Sequence, residues 1–112
     1  MAFDHLFAPL RLRGKTIRNR ILSTGHQTYL ARAGLVTDEF VAYHEARAKG
    51  GAGLIVTEAA RFHESALSDS HEIVVTDEAA IAGYRKLAQA VHAQGATVFG
   101  QLSHSGRVSR RM

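Results

Sequence analysis

An α/β fold with a parallel sheet is predicted by three features of the amino-acid sequence. Three short apolar and β-branched runs, Ile21–Ser23, Leu54–Thr57 and Thr97–Leu102, each deliver small or polar residues at their carboxyl ends. Two stretches with helical periodicity separate them. The runs are apolar throughout rather than alternating, which is the mark of strands covered on both faces, and strands interleaved with helices build βαβ units.

The opening segment, Leu6 to Ile17, alternates apolar and polar residues on both sides of Arg13-Gly14-Lys15. That pattern predicts a small β-hairpin with Gly14 in the turn, covering the base of the later strands. Gly14-Lys15-Thr16 has the ending of a phosphate-binding P-loop, but the motif needs a glycine at position 9, which is Pro9. The first strand, Ile21–Ser23, leads into a loop from Gly25 to Thr28.

Thr37 stands where a helix N-cap belongs, with Asp38 and Glu39 in the first turn where acidic groups suit the helix dipole. A helix is therefore predicted over 38–49, with Phe40, Tyr43 and Ala46/Arg47 recurring at helical spacing and Gly50-Gly51 ending it. Gly51-Ala52-Gly53 is not a dinucleotide fingerprint, because it comes after a helix, precedes a strand, and has Val56 where a third glycine is required.

After the second strand, the stretch from Ala59 to Val75 reads as a long loop rich in Ser, His and Glu, of the kind that forms active sites. Thr76 is the expected cap of a second helix over 77–94, whose stripe is Ile81, Tyr84, Leu87, Ala88 and Val91. Gly95 closes it, and the third strand comes next.

Such a sheet, with only two helices, leaves apolar surface and an edge uncovered. It reads as part of a larger α/β barrel or as a piece that must pair with something else, and the open edge is compatible with a homo-oligomer. The 112 residues make one domain at most, and 46% hydrophobic with 21% charged residues is an ordinary globular composition. No stretch is apolar enough for a membrane span or a signal peptide, so a cytoplasmic location is the expectation. With 0 cysteines there is no disulfide, thiolate nucleophile or iron-sulfur ligand in this sequence. The net charge of +4 comes from scattered residues without interleaved aromatics, which argues against nucleic acid as a partner.

Parallel sheets gather ligands at the carboxyl ends of their strands, which selects Gly25, His26, Gln27 and Thr28, then Glu58 and Ala59, then Gln101 and His104. Gln101 is the most informative, because a primary amide offers a donor and an acceptor side by side and matches a ring edge carrying one N–H and one C=O. An amide that ties down a neighbouring loop is the equal alternative. Gly25 and Ala59 are small, as residues must be where a flat ring lies on the backbone. His44, His63 and His71 each precede glutamate, but none has a second histidine four residues on, so no metal site is expected. No Gly-x-Ser-x-Gly elbow occurs, and neither Ser103 nor Ser105 has an evident partner base.

Five segments together carry a family resemblance: Leu6–Leu10, Arg18–Ile21, Gly50–Ala59, Val91–Gly95 and Gln101–Arg107. In order and spacing the chain resembles the amino-terminal third of the Old Yellow Enzyme family of FMN-dependent oxidoreductases. The resemblance implies a TIM (β/α)8 barrel, of which residues 1–112 would be the N-terminal hairpin and the first three β/α units, truncated after the third strand. It implies FMN at the carboxyl-end face and hydride transfer from NAD(P)H through the flavin to a small-molecule substrate, an activated alkene. On matching positions Gly25, His26 and Gln27 would line the flavin, Ala59 would lie near its ring, Gln101 would hold its pyrimidine edge, and Tyr29 would face the substrate.

Many members of that family have Pro-x-Thr or Pro-x-Cys after the first strand, where this chain reads Gly25-His26-Gln27-Thr28. That is similar to the branch of 2,4-dienoyl-CoA reductase and amine dehydrogenases or demethylases, longer enzymes with an added 4Fe-4S cluster and an FAD-type nucleotide-binding region. The resemblance implies two enzymatic expectations: reduction of an enoyl or dienoyl thioester or similar alkene, and oxidative demethylation of a methylated amine. A catalytically silent fragment is the third. The family's catalytic residues and phosphate-binding loops would lie beyond Met112.

Overall fold

In the computed structural model, residues 2–66 and 71–108 are described. A hairpin of β1 (Leu10–Leu12) and β2 (Lys15–Ile17) comes first, with Leu10 opposite Ile17 and Gly14 in the turn at φ +82°. The predicted hairpin and its glycine are where the alternation places them. Next come β3 (Leu22–Ser23), α1 (Asp38–Lys49), β4 (Leu54–Arg61), β5 (Ile73–Val74), α2 (Ala79–Ala93) and β6 (Thr97–Ser103), with 3-10 turns at Glu64–Ala66 and Gly106–Val108.

The four-stranded sheet is parallel and centred on β4. On one edge β3 pairs with the start of β4, Leu22 beside Leu54, and β5 pairs with its end, Ala60 beside Ile73. On the other edge β6 runs the whole length of β4, from Leu54 beside Thr97 to Arg61 beside Ser103. The second strand therefore does not stop at Thr57 as expected. It takes Ala59–Arg61 from the predicted loop, because β6 and β5 both offer pairing partners there, and the remainder of that loop holds a 3-10 turn and β5. The third strand likewise continues one residue further, to Ser103.

α1 has the predicted bounds, and Thr37 caps it by accepting from the Phe40 N–H (3.1 Å) while its hydroxyl donates to Leu30 O (2.6 Å). Its buried face is Phe40, His44 and Ala48, an i, i+4, i+8 row, rather than the row through Tyr43 and Ala46. α2 starts later than expected. Glu78, not Thr76, is at its N-cap and makes no side-chain cap bond, while the carboxylate of Asp77 one residue earlier accepts from the Ala79 N–H (2.8 Å). The stripe it buries is Ala80, Leu87 and Val91, with Tyr84 packed beside them and Ile81 half exposed. Both helices pack on one face of the sheet, where Ile55 and Ala60 of β4 join Phe40, Ala48, Leu87 and Val91 in the core.

Arg18 fastens this layer. Its guanidinium donates to Ala48 O (2.6 Å) and Ala52 O (3.0 Å) at and after the end of α1, and to Gln94 O (2.6 Å) after α2. A cation at the carbonyl ends of two helices satisfies acceptors that have no partner within the helix and opposes the negative ends of both dipoles.

Candidate site at the carboxyl end of the sheet

Between Val56 and Ala59 the register of β4 against β6 shifts by one residue: Val56 faces Phe99, yet Ala59 faces Gln101. This β-bulge re-aims every later side chain. Before it Ile55 and Thr57 lie buried under the helices; after it Glu58 and Ala60 do. Two consecutive buried residues, Thr57 and Glu58, mark the change of phase. Leu54, Val56, Ala59 and Arg61 consequently share the opposite face with their partners Thr97, Phe99, Gln101 and Ser103. Ala59 and Gln101 stand side by side at its carboxyl end.

The loop after β3 reaches the same place. A Cβ built on Gly25 would lie 2.3 Å from Gln101 Nε2, 2.8 Å from Thr57 O and 3.5 Å from Val56. Gln101 donates from Nε2 to Thr57 O (3.2 Å), and its Oε1 takes no hydrogen bond among the described residues. Three strands thus bring Gly25, Ala59 and Gln101 into one cradle with an exposed amide at its edge. Gln27 Nε2 lies buried in the same loop without an acceptor among the described residues.

His26 points elsewhere. Its Nδ1 meets Thr24 O (2.7 Å), a carbonyl that can only accept, so Nδ1 carries the proton and Nε2 accepts from the Tyr43 hydroxyl of α1. The Arg47 guanidinium covers the Tyr43 ring at 3.3 Å. His26 thereby tethers the loop to α1 through a residue that helical spacing marks only as apolar. Tyr29 is 60% exposed at φ +60°, with the His71 ring 6.2 Å away.

Beyond the cradle, Arg61 pairs with Glu72 (2.6 Å) and donates to Ser103 Oγ (2.8 Å) and Ser105 Oγ (3.4 Å), which accounts for both serines. His104 accepts from the Gly106 N–H at Nδ1 (2.8 Å), so its Nε2–H donates to Ser65 Oγ (2.8 Å), joining the loops after β4 and β6. Among the described residues no group of acidic, histidine or cysteine side chains has the geometry of a metal site.

On the helix side, His44 and Tyr84 are held neutral. Burial pushes the His44 imidazole down to about 4, and the neighbouring His26 ring and Arg47 guanidinium add to this. Burial also pushes the Tyr84 phenol up to about 12, with the Glu58 carboxylate contributing.

The family description "NADH:flavin oxidoreductase / NADH oxidase family" matches residues 5–111. The chain is 35% identical over 113 residues to the N,N-dimethylglycine/sarcosine dehydrogenase of Chromohalobacter salexigens, covering 98% of this chain and 16% of that protein. It is 33% identical over 111 residues to a probable N-methylproline demethylase of Rhizobium meliloti, again covering 98% and 16%. Among solved structures, a 2-naphthoyl-CoA reductase in complex with 2-naphthoyl-CoA superposes with a TM-score of 0.88 at 28% identity, over 95% of this chain and 16% of that one. The hairpin, the sheet and its two helices are therefore the opening part of a (β/α) barrel. The chain spans only a small part of the length of these relatives, and it belongs to the NADH:flavin oxidoreductase / NADH oxidase family.

Proposed function

We propose that residues 1–112 form the first part of an FMN-dependent oxidoreductase barrel and that the carboxyl end of the sheet is one wall of its flavin site. The observation that carries this reading is the cradle of Gly25, Ala59 and Gln101. The space beside Gly25 is already filled by the Gln101 amide, Ala59 adds only a methyl group, and the amide retains a free acceptor among the described residues. A flat heteroaromatic ring fits such a place, and FMN is the cofactor that the family implies. When bound, FMN supplies a two-electron hydride carrier between NAD(P)H and substrate.

The chain's own residues supply binding and orientation. Gln101 offers its carbonyl, with an N–H alongside, to the polar edge of the ring. Gly25 leaves the room that the Gln101 amide occupies, and Ala59 lets the ring approach the backbone. Gln27 brings a buried donor that lacks an acceptor among the described residues. His26, committed to Tyr43 and Thr24, lines the site through its backbone and holds the loop in place. Tyr29, exposed and held at positive φ, is the substrate-facing candidate.

For the substrate, reduction of an activated alkene such as an enoyl or dienoyl thioester is the first reading, favoured by the likeness to a reductase whose complex contains a CoA thioester. Oxidation of a methylated amine is the second, favoured by the dehydrogenase and demethylase relatives and by Gly25-His26-Gln27-Thr28 in place of Pro-x-Thr. A polypeptide carrying these residues within a complete barrel tests both. Purified protein should be yellow, with FMN released on denaturation. Bound flavin that an N-methylated amino acid bleaches anaerobically would select the second reading; reduced flavin that an enoyl thioester reoxidises would select the first. Colourless protein that takes up no FMN would end the proposal.

A further inference from the structure

The bulge in β4 does more than turn Ala59 toward the cradle. Without it, alternation would place Glu58 on the open face and Ala59 under the helices. With it, Glu58 is 1% exposed on the helix side, directly beneath the loop that carries Gly25 to Thr28. There its Oε1 accepts two hydrogen bonds from one residue, from the Thr28 N–H (3.2 Å) and from the Thr28 hydroxyl. The Thr28 oxygen accepts in turn from the Leu30 N–H (3.2 Å), and Leu30 O receives the hydroxyl of the α1 cap Thr37 (2.6 Å). A line of polar contacts therefore runs from the bulge through the loop to the start of α1.

The other carboxylate oxygen, Oε2, is buried with no partner among the described residues. A group hidden at that cost with half its acceptors unused is poor material for stability alone. Its location is explained by what it holds. We propose that Glu58 is the positioning residue of the cofactor-facing loop: by gripping Thr28 from behind the sheet it fixes the height of Gly25–Gln27 over the Ala59–Gln101 pair. This rests on the flavin reading of the site given above. Glu58 does not reach the open face and touches no reacting atom.

The test uses the complete barrel protein and measures FMN affinity by fluorescence quenching, the position of the bound-flavin absorption bands, and hydrogen exchange at the Thr28 amide, all well below each variant's melting temperature. Glu58→Ala is expected to weaken FMN binding by about tenfold or more, to shift the bands, and to speed exchange at Thr28, because both bonds to the loop are lost. Glu58→Gln keeps an oxygen in place for Thr28 and should stay within about threefold of wild type. Thr28→Val, which keeps the buried carboxylate and the backbone bond, should fall between them.

Glu58→Ala protein that melts lower yet binds FMN with wild-type affinity and unshifted bands would overturn the role and leave a purely structural one. Glu58→Gln as poor as Glu58→Ala would overturn it too, by making charge rather than the grip on Thr28 responsible. Wild-type protein that binds no FMN would instead sink the flavin reading itself, so the two failures are distinguishable.

Discussion

Gly25 and Gln101 occupy one small volume: a Cβ on the glycine would stand 2.3 Å from Gln101 Nε2 and 2.8 Å from the carbonyl of Thr57, the acceptor that Gln101 itself uses. The first obstacle can swing away, the second is backbone and cannot. Gly25 lies outside the left-handed region, so alanine is conformationally acceptable there and its effect is steric. Gly25→Ala should evict the Gln101 amide and weaken FMN binding by about tenfold or more in the complete barrel, with a much smaller change in melting temperature. Unchanged affinity would mean that the amide is not what reads the ring.

How far this cradle is legible in the sequence depends on which physical signal each residue leaves. Gly25, Ala59 and Gln101 stand out because small or amide residues close apolar runs, and the parallel sheet brings those ends together. The α1 bounds are legible from Thr37, Asp38 and Glu39, since capping is a local interaction. Pairing is not local. The extension of β4 through Arg61 depends on Ile73, Val74 and Gln101–Ser103, all distant in the chain, and a one-residue bulge leaves no mark in composition. For the same reason the burial of Glu58 and the contact of His26 with Tyr43 are hidden: each joins segments that spacing treats separately.

Arg18 joins the ends of both helices through three carbonyls, two of them at 2.6 Å. Gly95 accommodates this, being at φ +83° and leaving only 2.7 Å between a would-be Cβ and Arg18 Nη1. Arg18→Ala should destabilise the protein by about 3 kcal/mol, since three charge-assisted bonds that join the carboxyl ends of both helices are lost together. Arg18→Lys, with a point charge and no planar fork, should recover less than half. Urea unfolding midpoints of the three proteins check the order, and an Arg18→Ala midpoint equal to wild type would show that water replaces the guanidinium without loss.

His44 gives the fold a pH dependence whose direction is fixed by its burial. The ring is 1% exposed against Phe40, neither nitrogen has a partner among the described residues, and its pKa falls from 6.5 to about 4. The unfolded chain therefore binds a proton between those values that the folded chain refuses. Stability from this group is fully present above pH 6.5, declines as the pH falls toward 4, and is constant below, for a total of up to about 3 kcal/mol. Melting temperatures of wild type and His44→Phe across this interval should diverge, the variant losing less on acidification. Parallel curves would assign the acid sensitivity to other groups.

These 112 residues by themselves should hold flavin poorly. The open face of the sheet exposes Leu22 at 48% and Phe99 at 36%, apolar area that further β/α units would cover in a barrel. On the proposed reading the cradle would also meet only the ring of FMN. Phosphate is its most strongly charged group, and barrel enzymes hold phosphates at the loops after their last strands and a helix N-terminus there. Binding free energy from ring contacts alone must also offset the loss of ligand freedom. The 112-residue polypeptide should therefore bind FMN far more weakly than the complete barrel, if at all, while lumiflavin, which lacks the phosphate, should lose most of that difference. A flavin titration giving the short polypeptide micromolar affinity for FMN would mean that the handle for phosphate, or a sufficient substitute for it, already lies within Met1–Met112.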